Sequence, residues 1–393
     1  MNKMINVLIF SPLALENGRG GEISSMELAK GLQKYYNITL IDTNISLYKN
    51  LLSQKSILKK LEGVKRSSCL KFATLKFFNR LFTFIYPWEL FRLYGIVKRN
   101  DIIYISYSDI KLSIIFMFFK LLHRKGKFII GYRKPLHSDK FFSLYNLKYR
   151  TSLLLISFFK RRLYHHALSE YAKKFLENFY NPKKITHIIH GINLDKFHST
   201  EGKKKSERIL KFIYIGFLDD IHKGVSILLK AIENFLSDCE NPQVIFEFCG
   251  IGPLESAVKI LELKFPKYFK FNGYIDNDNI ANYYIQNDVF LFSSRVEPFP
   301  RTIMEALASK LIIICSKTIG SIELLKGKNF AFFIDDHHPM AIKKKINEIY
   351  NIWLKNPQKI KELQEAARRF LIQNYSITQE VKMFKKLIEE MIN

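Results

Sequence analysis

The feature that most constrains the fold of this chain is the alternation of short apolar segments with longer helical patterns. Residues 5–10 and 38–42 flank a glycine-rich segment and a helical pattern, and further apolar segments occupy residues 102–106, 128–132 and 185–189. Continuous apolar runs of this length are typical of strands that are buried on both faces of a sheet. Strands that alternate with helices predict a parallel, doubly wound α/β sheet.

A second series of the same kind follows a change in composition. Residues 195–208 are polar and contain the run Lys203-Lys204-Lys205, which indicates a linker. Beyond it, helical patterns alternate with apolar segments at residues 209–215, 244–249, 268–271, 289–292, 311–315 and 330–334. The sequence therefore predicts two Rossmann-like α/β domains, residues 1–193 and 194–377, with a ligand in the crevice at the carboxyl ends of the strands.

The positive charge of the chain is concentrated in its first half. The net charge is +26, and residues 1–200 carry 34 basic and 12 acidic side chains, against 28 and 24 in residues 201–393. Such asymmetry predicts an anionic partner for the first half, either nucleic acid or a phospholipid surface. Between Lys55 and Arg99, lysine and arginine interleave with leucine, phenylalanine, tyrosine and Trp88. Within this stretch residues 71–82, and further on residues 158–164, mix cationic with large apolar side chains at helical spacing, as in helices that lie on anionic membranes. The alternative is an aromatic core beneath a solvated basic face.

The sequence argues against a disulfide framework, a membrane-spanning helix, a signal peptide, a dinucleotide-binding motif and a metal site. The four cysteines lie too far apart for a CxxC pair, which argues against a zinc ribbon or a disulfide framework and suits a reducing compartment. No apolar stretch reaches the ~20 residues of a membrane-spanning helix, and we interpret residues 5–10 as a strand rather than a signal peptide. Neither glycine-rich segment completes the dinucleotide motif G-x-G-x-x-G. We expect no metal site, because Asp276-Asn277-Asp278 and Asp335-Asp336-His337-His338 each precede a predicted helix and fit a cap or a loop.

The most specific motif is a pair of glutamates, Glu297 and Glu305, separated by seven residues. Glu297 follows an apolar strand and Glu305 lies in the next helix, so both are expected at the carboxyl edge of the sheet. Carboxylates accept paired hydrogen bonds from vicinal hydroxyls, so the two could hold a sugar and a ribose. The helix N-terminus between them would offer amides and a positive dipole to a diphosphate. The alternative is an ordinary surface loop with one buried glutamate.

The segment from Ser293 to Ala308 resembles the donor site of glycosyltransferase family 4, whose GT-B fold has two Rossmann-like domains facing each other across a cleft. The resemblance covers almost all of residues 190–375 but only scattered elements of residues 1–190. It implies that a C-terminal helix, residues 378–392, packs on the first domain. Further matching elements follow in the order of the family: Gly20-Gly21-Glu22, Gly191 to Phe197, Tyr214-Ile215-Gly216 with Lys223-Gly224, Cys249 to Glu255, and Asn272-Gly273-Tyr274.

The resemblance implies a role for each matching residue. Glu297 would contact the donor sugar, Glu305 the ribose hydroxyls, and Lys223 the leaving diphosphate. Gly20 and Gly21 would let the backbone of the first domain approach the diphosphate closely. Alternatively, Lys223 is a solvated lysine in a turn, and Gly20 and Gly21 are ordinary loop glycines. The remaining donor-binding candidates are Tyr274 and Ile275, which would lie beside the nucleobase, and Gly252, Phe299 and Arg301.

Three departures from the family pattern bear on catalysis. Phe217 stands where an arginine is usual, so half of the phosphate clamp is missing unless Arg295, Arg301 or a basic residue of the first domain replaces it. Pro300 stands where a glycine is usual, and proline has no N–H to offer a phosphate. The family often has a histidine after a central strand of the first domain. Here the nearest is His137, a catalytic candidate for which an ordinary loop histidine is the alternative.

We therefore predict an enzyme, a retaining and metal-independent glycosyltransferase of the hexosyl type. Its co-substrate would be a nucleotide-diphosphate sugar, with no further cofactor, and its acceptor would be lipid-linked or a membrane-proximal glycan. Front-face displacement is the implied mechanism, with Glu297 as a positioning group. The expected location is the cytoplasmic face of an anionic membrane. The alternatives are a non-catalytic membrane-binding relative and, less favoured for want of a recognised module, a nucleic-acid-binding protein.

Overall fold

The computed structural model divides into two compact units. The first comprises residues 1–191 together with 377–393, and the second comprises residues 192–376. This division lies two residues before the predicted boundary, and the C-terminal helix Ile377–Ile392 belongs to the first unit. The structure describes residues 4–11, 20–43, 64–70, 72–77, 80–106, 110–132, 151, 153–154, 156–158, 162–178, 180–197 and 209–393.

The first unit is built on a parallel sheet. The described strands of this unit are β1 (Asn6–Phe10), β2 (Asn37–Thr43), β3 (Lys65–Leu70), β4 (Phe72–Phe77), β5 (Arg80–Ile85), β6 (Ile102–Ile105), β7 (Lys127–Tyr132), β8 (Leu163–Ala167) and β9 (Ile185–His187). Seven of them form one sheet in the order β3-β2-β1-β6-β7-β8-β9, in which neighbouring strands run parallel. The central strands are continuously apolar because helices cover both faces of the sheet.

Hydrophobic layers cover both faces of the seven-stranded sheet of the first unit. The helices that form them are α1 (Gly20–Leu32), α2 (Pro87–Lys98), α3 (Ile110–Leu122), α4 (Glu170–Glu177) and the C-terminal helix. Alternate residues of β1 point to opposite faces, so Leu8 packs with α2, α3 and α4 while Val7 packs with α1 and the C-terminal helix. The C-terminal helix is therefore part of the core of this unit, through Phe384 and Leu387.

The segment at residues 71–82 corrects a sequence prediction. It was expected to be an amphipathic helix, but β4 and β5 pair antiparallel, from Phe72 opposite Ile85 to Phe77 opposite Arg80. The segment is rich in aromatic residues and threonine, which favour extended backbone, and pairing with a neighbouring strand decides between two periods that a short apolar run leaves ambiguous. The predicted linker also begins differently, with a 3₁₀ turn at Leu194–Phe197, and residues 198–208 lie outside the described residues.

The second unit is a six-stranded parallel sheet. Its strands are β10 (Leu210–Ile215), β11 (Val244–Cys249), β12 (Phe269–Phe271), β13 (Val289–Phe292), β14 (Ile312–Cys315) and β15 (Ala331–Phe333), in the order β12-β11-β10-β13-β14-β15. Its helices are α5 (Val225–Asp238), α6 (Glu255–Lys264), α7 (Ile280–Ile285), α8 (Arg301–Ala308), α9 (Ile319–Leu325), α10 (Pro339–Lys355) and α11 (Pro357–Asn374). Each predicted strand of this unit is present, whereas α9 was not predicted.

None of the helices that the structure describes is long and apolar enough to cross a membrane.

Candidate functional site

The predicted donor-binding residues of the second unit lie on the loops that follow its strands. The segment from Gly216 to Gly224 follows β10, Gly252 lies after β11, and Tyr274 lies after β12. Glu297 lies between β13 and α8. Because all neighbouring strands run parallel, these loops share the carboxyl edge of the sheet, where ligands of such folds bind.

Lys223 and Glu297 form an ion pair at this edge. The Nζ atom of Lys223 donates to Oε2 of Glu297 at 2.9 Å, and about a quarter of the lysine side chain and a fifth of the glutamate side chain remain exposed, 27% and 21%. The backbone N–H of Lys223 donates to Oδ1 of Asp219 at 2.9 Å. The structure thus brings together two residues that the sequence placed in one site from positions 74 residues apart.

Gly224 and Ser293 fix the loop that carries Lys223. Gly224 has φ +61°, and a Cβ added there would lie 2.6 Å from the carbonyl oxygen of Ser293. A side chain is therefore excluded by both backbone conformation and contact. The hydroxyl of Ser293 donates to the carbonyl oxygen of Lys223 at 2.7 Å. The loops after β10 and β13 are also joined by the N–H of Arg295, which donates to the carbonyl oxygen of His222 at 2.8 Å, so they are held together independently of the ion pair.

Glu305 lies almost fully buried in α8. Its Oε1 accepts a hydrogen bond from Nε of Arg301 at 3.1 Å, and its Oε2 accepts one from the hydroxyl of Tyr284 at 3.2 Å. Burial, and then the nearby Glu305 carboxylate, raise the pKa of Tyr284 well above its ordinary value, so this phenol stays protonated and donating. Tyr284 was not predicted, because nothing in the sequence indicates its contact with a residue 21 positions away.

Two glycines after β11 allow a close backbone approach. A Cβ on Gly250 would lie 1.8 Å from the carbonyl oxygen of Gly216, and one on Gly252 would lie 2.5 Å from the carbonyl oxygen of Leu218. The amide of Leu218 donates to the carbonyl oxygen of Ile251 at 2.8 Å. Gly252 therefore has a packing role between the loops after β10 and β11, and Gly250 shares it.

Gly320 supports the Glu297 loop from α9. Its N–H donates to the carbonyl oxygen of Glu297 at 3.0 Å, and a Cβ there would lie 2.6 Å from the carbonyl oxygen of Pro298. Phe299, a predicted donor-binding residue, is buried, and its ring lies 6.0 Å from that of Tyr375. The side chain of Phe299 thus anchors the loop in the core of the unit.

The arginines that were considered as replacements at Phe217 pair with carboxylates. Arg301 faces Glu305, and Nη2 of Arg295 lies 3.5 Å from Oδ2 of Asp220, while its Nε donates to the carbonyl oxygen of Asp220 at 3.0 Å. Either guanidinium would have to share these carboxylates in order to meet a phosphate.

Tyr274 and Ile275, the predicted nucleobase neighbours, are in the loop after β12. Tyr274 is 37% exposed, and partial burial, followed by the Asp276 carboxylate, raises the pKa of its hydroxyl. Asp276 accepts a hydrogen bond from the N–H of Asp278 at 3.0 Å, immediately before α7. The Asp-Asn-Asp segment thus forms a turn before α7. The expected capping role is not seen, because the N-cap residue of α7 is Asn279 and no side chain caps the helix there.

The second candidate metal sequence serves a helix start. The side chain of His338 accepts a hydrogen bond from the N–H of Met340 at the beginning of α10, and Asp335 lies 3.6 Å from Nζ of Lys317. Within the described part of the chain, no three His, Cys, Asp or Glu side chains are grouped as a metal site would require.

Three of the predicted site residues belong to the first unit. Gly20 and Gly21 were expected in a loop, but they are the first two residues of α1. A Cβ on Gly21 would meet no atom of the described residues within 4 Å, so packing against that part of the chain does not demand glycine there. His137, the low-ranking catalytic candidate, lies outside the described residues.

The second unit matches a family of enzymes. Residues 195–370 match the family model described as glycosyl transferases group 1. An uncharacterized glycosyltransferase of Methanocaldococcus jannaschii is 27% identical over 241 residues, which are 60% of this chain and 60% of that protein. The chain thus spans about three fifths of the length of this relative.

Solved structures match over nearly the whole chain. The Anabaena protein HepE in complex with UDP and glucose has a TM-score of 0.74 at 16% identity, covering 98% of this chain and all of that one. A glycosyltransferase from Rickettsia africae has a TM-score of 0.73 at 20% identity, covering all of both chains. The predicted fold class, Rossmann-like α/β domains of the GT-B type, is confirmed.

Proposed function

We propose that this protein is a glycosyltransferase that transfers a sugar from a nucleoside-diphosphate sugar to an acceptor. The observation that supports the proposal is the ion pair of Lys223 with Glu297 at the carboxyl edge of the second sheet, followed by Glu305 in the next helix, inside the segment that matches the glycosyltransferase group 1 model. One ammonium and two carboxylates suit a ligand with an anionic diphosphate between two polyols.

Each of these side chains has a role in the proposal. Lys223 exchanges its contact with Glu297 for the departing diphosphate and neutralises charge that develops there. Glu297 is then released to accept hydrogen bonds from the sugar hydroxyls. Glu305 is oriented by Arg301 and Tyr284 and accepts hydrogen bonds from the ribose. A carboxylate fixed in advance by two donors loses little freedom when the ligand binds.

The finer features of the reaction follow from the family resemblance. The transfer retains the anomeric configuration by front-face displacement, needs no metal ion, and uses a hexosyl donor. The acceptor is lipid-linked or a membrane-proximal glycan, and the first unit faces it at the cytoplasmic side of an anionic membrane. The excess of 34 basic over 12 acidic side chains in residues 1–200 supports an anionic acceptor surface.

A thermal-shift screen against nucleoside mono- and diphosphates tests the proposal. A ligand that binds only the folded protein raises the unfolding temperature, so one nucleoside diphosphate should stabilise the protein and its monophosphate should do so less. Glu305→Gln should lower the stabilisation. If no nucleoside diphosphate raises the transition, the proposed function is wrong.

A second function is supported by Phe217 and Pro300, which depart from the family pattern. A non-catalytic relative would bind a nucleoside diphosphate or a membrane without turning over a donor. Incubation of the protein with the sugar derivative of whichever nucleotide stabilises it, followed by measurement of free nucleoside diphosphate, separates the two functions. Release above the enzyme-free rate supports catalysis, and Lys223→Ala should reduce it at least tenfold.

A further inference from the structure

One face of the first unit exposes an unusual number of large apolar side chains. On α2, Trp88 is 61% exposed and Phe91 is 78% exposed; on α3, Phe118 is 57% exposed. Ile114, Leu121 and Leu122 are also exposed. We refer to these six residues as the α2–α3 face. The inner sides of both helices pack in the same hydrophobic layer on one face of the sheet. Their outer sides therefore lie on the same side of the unit, away from the sheet.

The exposed side of α3 lacks polar residues from Ile114 to Leu122, the part of the helix whose side chains the structure describes. From residue 114 to residue 122, each exposed position is occupied by isoleucine, phenylalanine or leucine, while Phe116 and Phe119 are buried on the inner side. Apart from the buried Lys120, whose ammonium donates to the carbonyl oxygens of Arg124 and Gly126, this stretch is apolar on all sides, and such a helix is normally covered on all sides. The outer side of α3 therefore calls for an apolar environment that the described residues do not supply.

The charges around this face are mostly positive, although an exposed carboxylate, Asp101, lies just beyond the end of α2 and accepts a hydrogen bond from the N–H of Asn6 at 2.9 Å. Lys98 and Arg99 are exposed at the end of α2, and Arg124 and Lys125 are exposed just beyond the end of α3. Among the described side chains of the two helices, the one acidic residue is Glu89, which is buried and pairs with Arg92 at 3.3 Å. The apolar side chains are thus bordered by cations without exposed carboxylates on these helices.

The opposite face of the same unit is an internal comparison. There α1 and the C-terminal helix cover the sheet, and Ile392 is the one large apolar side chain exposed on their described length. The C-terminal helix carries pairs of opposite charge, Lys385 with Glu389 at 3.5 Å and Lys386 with Glu390 at 3.8 Å. Such pairs are typical of a face that meets water.

We propose that the α2–α3 face docks on an anionic lipid bilayer. Its aromatic and aliphatic side chains insert at the boundary between headgroups and acyl chains, and the bordering lysines and arginines contact lipid phosphates. An anionic bilayer matches both parts of this surface, because it offers an apolar interior to the exposed side chains and phosphate acceptors to the bordering lysines and arginines, which are donors only. The inference deepens the proposed function, because it brings the first unit to a lipid-linked acceptor, but docking itself requires no sugar transfer.

The two tryptophans of the chain allow a direct test. Trp88 lies on the proposed face, whereas Trp353 is 9% exposed in the second unit, so the Trp353→Phe protein reports from Trp88 alone. Vesicles of equal parts phosphatidylcholine and phosphatidylglycerol should shift the emission of Trp88 to shorter wavelength. Lipids brominated near the headgroup end of their acyl chains should quench that emission, because the indole would lie beside them.

Variants separate insertion from charge attraction. Phe118→Ser should weaken vesicle partitioning at least tenfold without changing the melting temperature, because this side chain is mostly outside the core. Leu263→Ser is the matched control, since Leu263 is 81% exposed on the second unit, and it should leave partitioning unchanged. High salt should weaken binding only in part, because apolar insertion is not screened.

Three results would overturn the inference: no partitioning into these vesicles, partitioning with an unchanged and unquenched Trp88, or equal effects of Phe118→Ser and Leu263→Ser. A dimer in sedimentation that Phe118→Ser dissociates, without vesicle binding, would assign the face to a second copy of the chain instead. Nucleotide stabilisation, measured on the same preparations without vesicles, tests the proposed function separately. Vesicle binding without nucleotide stabilisation would refute only the proposed function. Nucleotide stabilisation without vesicle binding would refute only the proposed membrane docking.

Discussion

Replacing Glu305 by alanine should destabilise the second unit strongly, even before any ligand is considered. The substitution leaves the Arg301 guanidinium and the Tyr284 hydroxyl without the carboxylate that accepts from both, in a place where the two charged side chains are only 9% and 11% exposed. Removing one partner of a buried ion pair costs about 3–5 kcal/mol. That is a large part of the ~5–15 kcal/mol that holds a domain folded. Glu305→Gln keeps the shape and one acceptor oxygen and should cost about 1–3 kcal/mol.

Urea unfolding followed by tryptophan fluorescence measures this effect in the relevant unit. In a Trp88→Phe background the signal comes from Trp353, which lies in α10. This choice matters because a chain of two units need not unfold in one step. Glu365→Ala is the matched control, since Glu365 is half exposed in its pair with Lys310, and surface pairs contribute about 0–1 kcal/mol. If Glu305→Ala costs no more than Glu365→Ala, the interpretation of Glu305 as a buried, doubly bonded carboxylate is refuted.

Three further predictions follow from contacts elsewhere. The new Cβ of Gly320→Ala would lie 2.6 Å from the carbonyl oxygen of Pro298. The substitution should weaken nucleoside-diphosphate binding at least tenfold in calorimetry and leave most of the helical circular dichroism unchanged. Unchanged affinity would mean that α9 does not position the Glu297 loop. Lys223→Ala should make binding of the diphosphate less dependent on salt, because one cation is lost, and an unchanged salt dependence would exclude its phosphate contact. Burial, and then Lys184, lower the pKa of His165 to about 3; the unfolded chain therefore binds the extra proton, and the free energy of unfolding should fall by up to ~1.4 kcal/mol per pH unit as pH drops below about 6. His165→Phe should reduce that slope in urea titrations at successive pH values, and an equal slope in both proteins would contradict it.

The strands of the second unit could be predicted from the sequence because burial on both faces makes them largely apolar. In β13, for example, Val289 to Phe292 are all buried, and such a run between turn residues is typical of a strand at the centre of a parallel sheet. The segment of β4 could not be assigned in this way. Its mixture of phenylalanine, threonine and lysine fits two periods, and its pairing with β5 depends on a partner strand rather than on local pattern.

Some residues of the candidate site could be predicted from local sequence, and others depend on contacts with distant segments. Lys223, Glu297 and Glu305 could be found because their residue types and spacing resemble a known motif. Tyr284 and Gly320 could not, since each acts through a contact with a distant segment that only the folded chain brings close. The basic and aromatic composition of the first half pointed to residues 55–99 and 158–164. Trp88 and Phe91 lie in the first of these segments and Phe158 in the second, and all three are exposed. The exposed side of α3 was not singled out, and the side chains of residues 71–82 lie outside the described ones.

The most direct test of the central claim is amide hydrogen exchange with and without the nucleoside diphosphate that stabilises the protein best. The account predicts slower exchange in two peptides of the second unit, one spanning Phe217 to Gly224 and one spanning Glu297 to Ala308. Glu305→Gln should reduce the protection of both. Protection confined to other parts of the chain, or none in either peptide at a saturating concentration, would contradict the assignment of this edge as the donor site.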